Sequence, residues 1–112
     1  MIIEKIVLDY LSEKLDVDCY LEVPKTNKST FIVIEKTGSS QRDRIYDASI
    51  AIQSYAKSMY EASLLNEKVK EAMSEIWYLN QICRVRLNSD YNYTDTESKH
   101  YRYQAVFDII HY

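Results

Sequence analysis

Two neighbouring stretches decide the fold: Thr30-Phe31-Ile32-Val33-Ile34-Glu35-Lys36 and Ile45-Tyr46-Asp47-Ala48-Ser49-Ile50-Ala51-Ile52-Gln53-Ser54-Tyr55. The first has four consecutive apolar residues, three of them β-branched, which predicts a strand covered on both faces at one end. In the second, Tyr46, Ala48, Ile50 and Ile52 alternate with Asp47, Ser49 and Gln53, which predicts a strand with one solvent-facing side. A polar turn over 38–44 separates the stretches, so together they predict a β-hairpin.

Upstream of this hairpin, the chain predicts one helix and one short strand. Apolar residues at helical spacing, with charged residues on the other side, predict an amphipathic helix over about 2–15. Cys19-Tyr20-Leu21-Glu22-Val23 predicts a strand, which Pro24 ends because proline cannot donate to a strand ladder. A polar loop over 25–29 leads into the hairpin.

Downstream of the hairpin, a helix and two strands are predicted. Ser58 and Glu61 have the spacing of a capping box, and the helix they begin is predicted to end at about Trp77. Its buried stripe comprises Ala62, Leu65, Val69, Met73 and Ile76. The next strand is predicted over 82–91. Its inward side chains are Cys83, Val85 and Leu87, and its outward side chains are Arg84, Arg86 and Asn88. An acidic loop over 92–98 precedes the last strand, in which inward and outward residues again alternate: Tyr101, Tyr103, Ala105, Phe107 and Ile109 with Arg102, Gln104 and Asp108.

The predicted order of elements is α-β-β-β-α-β-β. Helices with one-sided apolar stripes need a surface to cover, and a five-stranded, mostly antiparallel sheet provides it. The length of 112 residues corresponds to one domain. We therefore predict a single α+β domain over 1–112, with both helices packed on the sheet.

Composition excludes several classes of function. Acidic and basic residues are interleaved, and the net charge is −3, so there is no basic stripe of the kind that sequence-specific nucleic-acid binding requires. No apolar run approaches the roughly 20 residues of a membrane span. Charges interrupt the start of the chain at Glu4 and Lys5, which is unlike a signal peptide. A soluble protein made in a cytoplasm is the expectation.

Residues with catalytic or metal-binding chemistry are few and scattered. Cys19 and Cys83 are predicted to be small buried apolar side chains in a reducing compartment. His100 and His111 are predicted to lie in the last strand on opposite faces, where they cannot share a metal. A phosphate cradle needs clustered glycines, and Gly38 is the only glycine in the sequence. We expect no catalytic, cofactor-binding or metal-binding residue and no enzymatic activity.

Two groups of residues are candidates for a subunit interface. Five of the eleven tyrosines, Tyr91, Tyr93, Tyr101, Tyr103 and Tyr112, flank or occupy the last hairpin, and the first four of them are the interface candidates. Tyrosine is favoured at interfaces, and cross-strand aromatic pairing is the equally weighted alternative. Tyr91 and Tyr93, in a polar loop, favour contact, whereas Tyr101 and Tyr103 favour the core. The second group is the turn Gln41-Arg42-Asp43-Arg44, because arginine offers a planar donor fork, although such a run is more often a solvated loop.

The whole layout resembles the tail-terminator (tail-completion or head–tail joining) proteins of long-tailed phages and prophages of Gram-positive bacteria. The resemblance is carried by Tyr20-Leu21-Glu22-Val23-Pro24, Phe31 to Gly38, Ile50 to Ala56, the helix from Glu61 to Met73 and the ending Tyr101 to Asp108. It covers nearly the whole chain and consists of core and turn positions.

The resemblance implies a structural function. Members of the family are α/β subunits that close into a hexameric ring on the tail tube, stop its growth and face the head connector. The implied partners are other copies of the chain, the tail-tube protein and the head–tail connector protein, without a cofactor. Assembly would take place in the host cytoplasm, and the protein would then remain in the virion. The ring contacts are expected at the 38–44 turn and the 88–98 loop.

Three alternatives remain open at this point. The first is another neck, head-completion or minor capsid protein of a phage. The second is a bacterial adaptor domain that binds another protein. The third is an enzyme that uses Cys83 or His100.

Overall fold

Five strands form one sheet in the computed structural model, which describes residues 2–25, 28–95, 97 and 100–112. The elements are α1 (Ile3–Leu15), β1 (Cys19–Tyr20), β2 (Phe31–Arg42), β3 (Ile45–Ala56), α2 (Met59–Met73), β4 (Ile82–Asn92) and β5 (Tyr101–His111). The strand order is β1-β2-β3-β5-β4, and only the β1–β2 pair is parallel. Both helices pack against the sheet, so the predicted α+β fold is confirmed.

The long β2–β3 hairpin differs from its prediction at the turn. Pairing continues to Arg42 and Ile45, with one bulge between Lys36 and Gly38, so only Asp43 and Arg44 form the turn. The predicted polar turn over 38–44 is therefore wrong. Its serines and Gln41 are exposed, so they show no apolar alternation, and backbone pairing with β3 alone makes this segment a strand.

The main core lies between the sheet and the two helices. Sheet residues such as Ile34, Ile50 and Phe107 meet helix residues from both α1 and α2, among them Leu11 and Met73. All five residues of the stripe predicted for the second helix are buried. Their burial confirms the predicted orientation of α2, because an amphipathic helix turns its apolar stripe to the sheet.

The ends of α2 show one confirmed prediction and one correction. The backbone N–H of Glu61 donates to Ser58 Oγ at 3.2 Å, which confirms Ser58 as the N-cap. The helix ends at Met73 rather than at about Trp77. A short 3-10 turn, Ile76–Tyr78, follows and still buries Ile76.

Two strands are less regular than predicted. β1 contains only Cys19 and Tyr20, so it ends well before Pro24. β4 has register shifts next to Cys83 and next to Asn88, which leave Cys83 exposed. Leu87 is also exposed, because β4 is the edge strand, and of the three residues predicted to face inward only Val85 packs against the core. The predicted burial of Cys83 is wrong, whereas Leu87 shares the core-facing side with its partner Phe107, as predicted, but is 42% exposed.

The start of β2 is covered on both faces, as predicted. Phe31, Val33 and Tyr55 form a second, smaller cluster on the face away from the helices, and Tyr20 packs against it. Because of this cluster, the side of β3 that was predicted to face solvent does so only in part. That side is exposed at Asp47, half-buried at Ser49 and buried at Gln53.

Candidate functional site

One face of the sheet carries no helix within the described part of the chain, and we call it the open face. Its residues alternate with those of the main core. One row across it pairs Val33 with Gln53, Gln53 with Gln104, and Gln104 with Tyr91. The row thus runs over four strands, from β2 to β4, and presents amide and phenol groups.

The polar groups of this row are joined by hydrogen bonds. Gln53 Nε2 donates to Gln104 Oε1 at 2.9 Å, and Gln104 Nε2 donates to the Tyr91 hydroxyl at 2.5 Å. The Tyr55 hydroxyl donates to Gln53 Oε1 at 3.2 Å. These bonds hold the side chains in fixed positions, because each amide is oriented by a partner on a neighbouring strand.

Arg102 is the centre of the next row. Its guanidinium donates to the Tyr55 hydroxyl and, through Nε, to the Tyr93 carbonyl oxygen, both at 2.7 Å. It also lies over the Tyr93 ring, 4.5 Å from the centroid. Tyr93 in turn meets Tyr91 edge to face, with the ring centroids 5.9 Å apart. Arg102 thereby ties the end of β4 to the middle of the sheet.

The other end of the open face is a shallow depression of about 470 Å³ lined by Ser40, Arg84, Arg86 and Asp108, among others. Hydrogen bonds from Asn88, Arg86 and Ser49 hold the pKa of Asp108 below its usual value. Asp108 is therefore an ionised structural acceptor that links β4, β5 and β3, and it has no raised proton affinity of the kind that a general acid needs.

The β2–β3 turn beyond this depression has a constrained backbone. Asp43 and Arg44 have φ values of 51° and 68°, in the left-handed region that favours glycine and asparagine. Two consecutive residues of this kind characterise a type I′ hairpin turn, for which Asn-Gly is the preferred sequence. Both side chains are exposed, as are those of Gln41 and Arg42.

The structure separates the eight predicted interface residues into three places. Gln41 and Arg42 end β2, and Asp43 and Arg44 form the turn. Tyr91 and Tyr93 lie together at the other end of the sheet, 42% and 44% exposed; Tyr91 belongs to β4 rather than to a loop. Tyr101 and Tyr103 are half-buried in β5 and alternate with the open-face residues.

Arg102, Gln104 and Tyr55 were not among the functional residues predicted from the sequence. The alternation of the last strand placed Arg102 and Gln104 outward, and the structure confirms that they share a face. Their partners on β3 and β4 are far away in sequence, so no local pattern identified the network.

The predictions about histidine and cysteine need one correction beyond the exposure of Cys83. His100 lies just before β5, in an isolated bridge with Asp95, rather than in the strand. His111 ends β5 and is buried, stacked on Tyr46. Cys83 forms no disulfide with Cys19, since both are free thiols. It is also remote from His100, which lies at the opposite end of β5 from Ile82, the neighbour of Cys83.

The described residues contain neither a metal-binding cluster nor a membrane-spanning helix. No group of three or more His, Cys, Asp or Glu side chains in this part of the chain is placed to hold a metal ion. Neither α1 nor α2, the α-helices of the described segments, is long and apolar enough to cross a membrane. The predicted loops over 25–29 and 92–98 lie partly outside the described residues, at 26, 27, 96 and 98.

The chain matches no protein-family model and no curated protein sequence.

Proposed function

We propose that this protein is a structural assembly subunit of the tail-terminator type, which forms a ring with copies of itself, caps a phage tail tube and joins it to the head. The resemblance of the sequence to that family motivates the proposal. One observation carries it: the β2–β3 turn holds Asp43 and Arg44 outward on a left-handed backbone that favours glycine and asparagine, with the exposed Arg42 beside them.

The backbone conformation of this turn costs folding free energy, which is a reason to look for a function of its side chains. Residues other than glycine in the left-handed region cost of order 1 kcal/mol each, and such strain tends to persist where side chains are needed for function. Asn-Gly would fit the turn better. Within the described part of the chain, no hydrogen bond or ion pair joins the Asp43 or Arg44 side chain to another residue, which leaves both charged groups available to a partner.

The sheet edges also favour contacts through turns. β2 beyond Val33 and the outer side of β4 pair with no other strand among the described residues, and they lie on opposite sides of the sheet. Bulges interrupt both strands, and Arg84 and Arg86 lie on β4. Such features discourage strand addition. A head-to-tail ring contact would therefore use the ends of the sheet.

The turn provides a prediction that separates folding from assembly. Changing Asp43→Asn together with Arg44→Gly should raise the free energy of unfolding by about 1 kcal/mol, because the new pair suits a type I′ turn. The same variant should lose assembly, because the guanidinium and the carboxylate are gone. Urea denaturation measures the first effect, and light scattering or completion of tails in vitro measures the second.

Asp43→Asn alone is the matched control, since it retains Arg44 and should retain most of the assembly. A stabilised double variant that assembles like the wild type would contradict the role of the turn.

The proposed function itself is tested by deleting the gene from its phage. We expect tails of irregular length that remain separate from heads, as seen by electron microscopy. Normal tails joined to heads would sink the proposal. Normal tails with unjoined heads would point instead to another neck protein.

A further inference from the structure

The two sides of the sheet differ in charge. All five arginines lie on the sheet or in its β2–β3 turn, and four of them are on the open face: Arg42, Arg84, Arg86 and Arg102. Strands β2 to β5 place three acidic residues on the same face. The two helices contain no arginine, and in them six acidic residues outnumber four lysines. Because the planar arginine fork binds carboxylates, the open face suits an acidic helix surface.

The outer side of α2 presents an acidic and apolar stripe. Tyr60, Leu64, Glu67 and Glu71 recur at spacings of four and three residues, which places them on one side of the helix, opposite its buried residues. Tyr60 and Leu64 are 71% and 44% exposed. Within the described residues, no hydrogen bond or ion pair joins the Glu71 carboxylate to another group. This outer stripe therefore offers an unpaired acid and two apolar side chains to a partner.

The depression at the turn end of the open face has the size and the lining to receive a helix. Small residues of β2 and β3, namely Gly38, Ser40 and Ser49, line it together with Arg84 of β4. It extends over four strands, about 14 Å between the outer two, and a helix with its side chains is about 10–12 Å across. Arg84 is exposed, and among the described residues its guanidinium has no hydrogen-bond or ion-pair partner.

The outer stripe and the open face also match in length. Glu71 and Tyr60 are about 16 Å apart along α2, at 1.5 Å per residue. On the sheet, the β5 partners of Arg84 and Tyr91 are six residues apart, or about 20 Å. The difference is less than the length of a tyrosine side chain. With Glu71 at Arg84, Tyr60 therefore reaches the exposed Tyr91, and Leu64 covers the strands between them.

The direction of α2 on its own sheet agrees with this arrangement. The Thr94 hydroxyl donates to Met59 Sδ, at the start of the helix, at 3.6 Å. Lys70, near the end of the helix, donates to Asp90 at 3.0 Å, so α2 runs antiparallel to β4. A second copy stacked on the open face with its sheet parallel to the first keeps this direction. Its acidic residues then come to the Arg84 end of the open face, and its Tyr60 comes to the other end.

A second pair of charges meets in the same stacked arrangement. Asp47 lines the depression on β3, in the same row as Arg84. Lys68 lies on the flank of α2 that faces the end of α1, and α1 packs on the β1–β2 side of the sheet. In the stacked copy, Lys68 therefore comes to the Asp47 side of the depression, while Glu71 faces β4.

We propose that the outer stripe of α2 in one copy covers the open face of the next copy, with Glu71 at Arg84. Lys68 then faces Asp47. The occupant of the open face is a second copy of this chain, because its α2 complements that face in charge, length and direction. Two different surfaces meet, so the contact is heterologous and closes into a ring when successive copies are rotated. This inference rests on the proposed function, because it specifies how the subunits of the ring meet.

Charge reversal tests the contact. Glu71→Arg and Arg84→Glu should each raise the dissociation constant for self-association about tenfold at low salt, because an attractive pair becomes repulsive. The double variant should return close to the wild-type value. An equimolar mixture of the two single variants should also recover association, because alternating copies restore an opposite pair at every contact. Sedimentation velocity of the full chain measures all of these.

Two further variants complete the test. Leu64→Asp should abolish association and leave the circular dichroism spectrum unchanged, because Leu64 is exposed in a single copy. Glu22→Arg is the matched control for Glu71→Arg, since it makes the same change of charge at an exposed residue beyond β1, and it should associate like the wild type.

Single variants that associate like the wild type, or a mixture and a double variant that are no stronger than the single ones, would overturn the inference and leave the ring proposal standing. A wild-type chain that stays monomeric at all concentrations would also overturn it. The gene-deletion phenotype, in contrast, decides the proposed function alone.

Discussion

Phe107→Ala is expected to destabilise the protein by about 3–5 kcal/mol, the usual cost of removing a buried phenylalanine. Phe107 is 2% exposed in the centre of β5 and belongs to the main core between sheet and helices. The substitution leaves a cavity under α2 that the surrounding side chains cannot fill. A domain of this size has a stability of roughly 5–15 kcal/mol, so the loss would be a large fraction of its folding free energy. Chemical denaturation followed by circular dichroism measures the change.

Leu87→Ala is the matched control for this prediction. Leu87 pairs directly with Phe107 across β4 and β5, but it is 42% exposed. Removing it should cost less than about 1 kcal/mol, because little apolar surface leaves a buried environment. If the two variants lost the same free energy of unfolding, the β4 edge of the sheet would have to be covered in solution. Leu87 would then be buried.

Arg102→Ala is the second substitution with a large expected effect. Arg102 makes two hydrogen bonds, to the Tyr55 hydroxyl and the Tyr93 carbonyl, and lies over the Tyr93 ring. Charge-assisted bonds and a cation–π contact at a half-buried site together predict a loss of about 2–3 kcal/mol. The loss should be local, so hydrogen exchange should rise first at the amides of Tyr93 and Thr94.

Arg102→Lys should recover little of this stability. A lysine is a point charge without the planar fork, so it cannot serve Tyr55 and Tyr93 at once. Arg84 is an exposed arginine of β4, so Arg84→Ala serves as the control. It should change the free energy of unfolding by less than about 0.5 kcal/mol. Full recovery by lysine would mean that the charge matters and the geometry does not.

Local patterns predicted the elements but not all of their lengths. The apolar run at Phe31–Ile34 and the alternation after Ile45 identified the hairpin, because burial imposes a period of two on strands. Ser39, Ser40 and Gln41 gave no such signal, since their strand is exposed and is held by backbone pairing. The bulges at Cys83 and Asn88 were equally invisible, because a bulge depends on the partner strand.

The candidate sites were predictable to different degrees. Composition alone singled out the Arg42–Arg44 turn and the late tyrosines, since charge and aromatic content are local properties. The network around Arg102 and the pocket at Phe31 and Tyr55 were not predictable, because they join residues from β2, β3, β4 and β5.

The sequence by itself determined the class of fold, the order of its elements and the stripe of α2 that faces the sheet. Each of these follows from the periodicity of apolar residues along a single segment. Only the tertiary structure decided that one face of the sheet stays open, and that Asp43 and Arg44 occupy a strained two-residue turn. It also decided that Lys57 lines a pocket with Phe31 and Tyr55 at the opposite end of the sheet. These features arise from pairing between strands distant in sequence, which no single segment encodes.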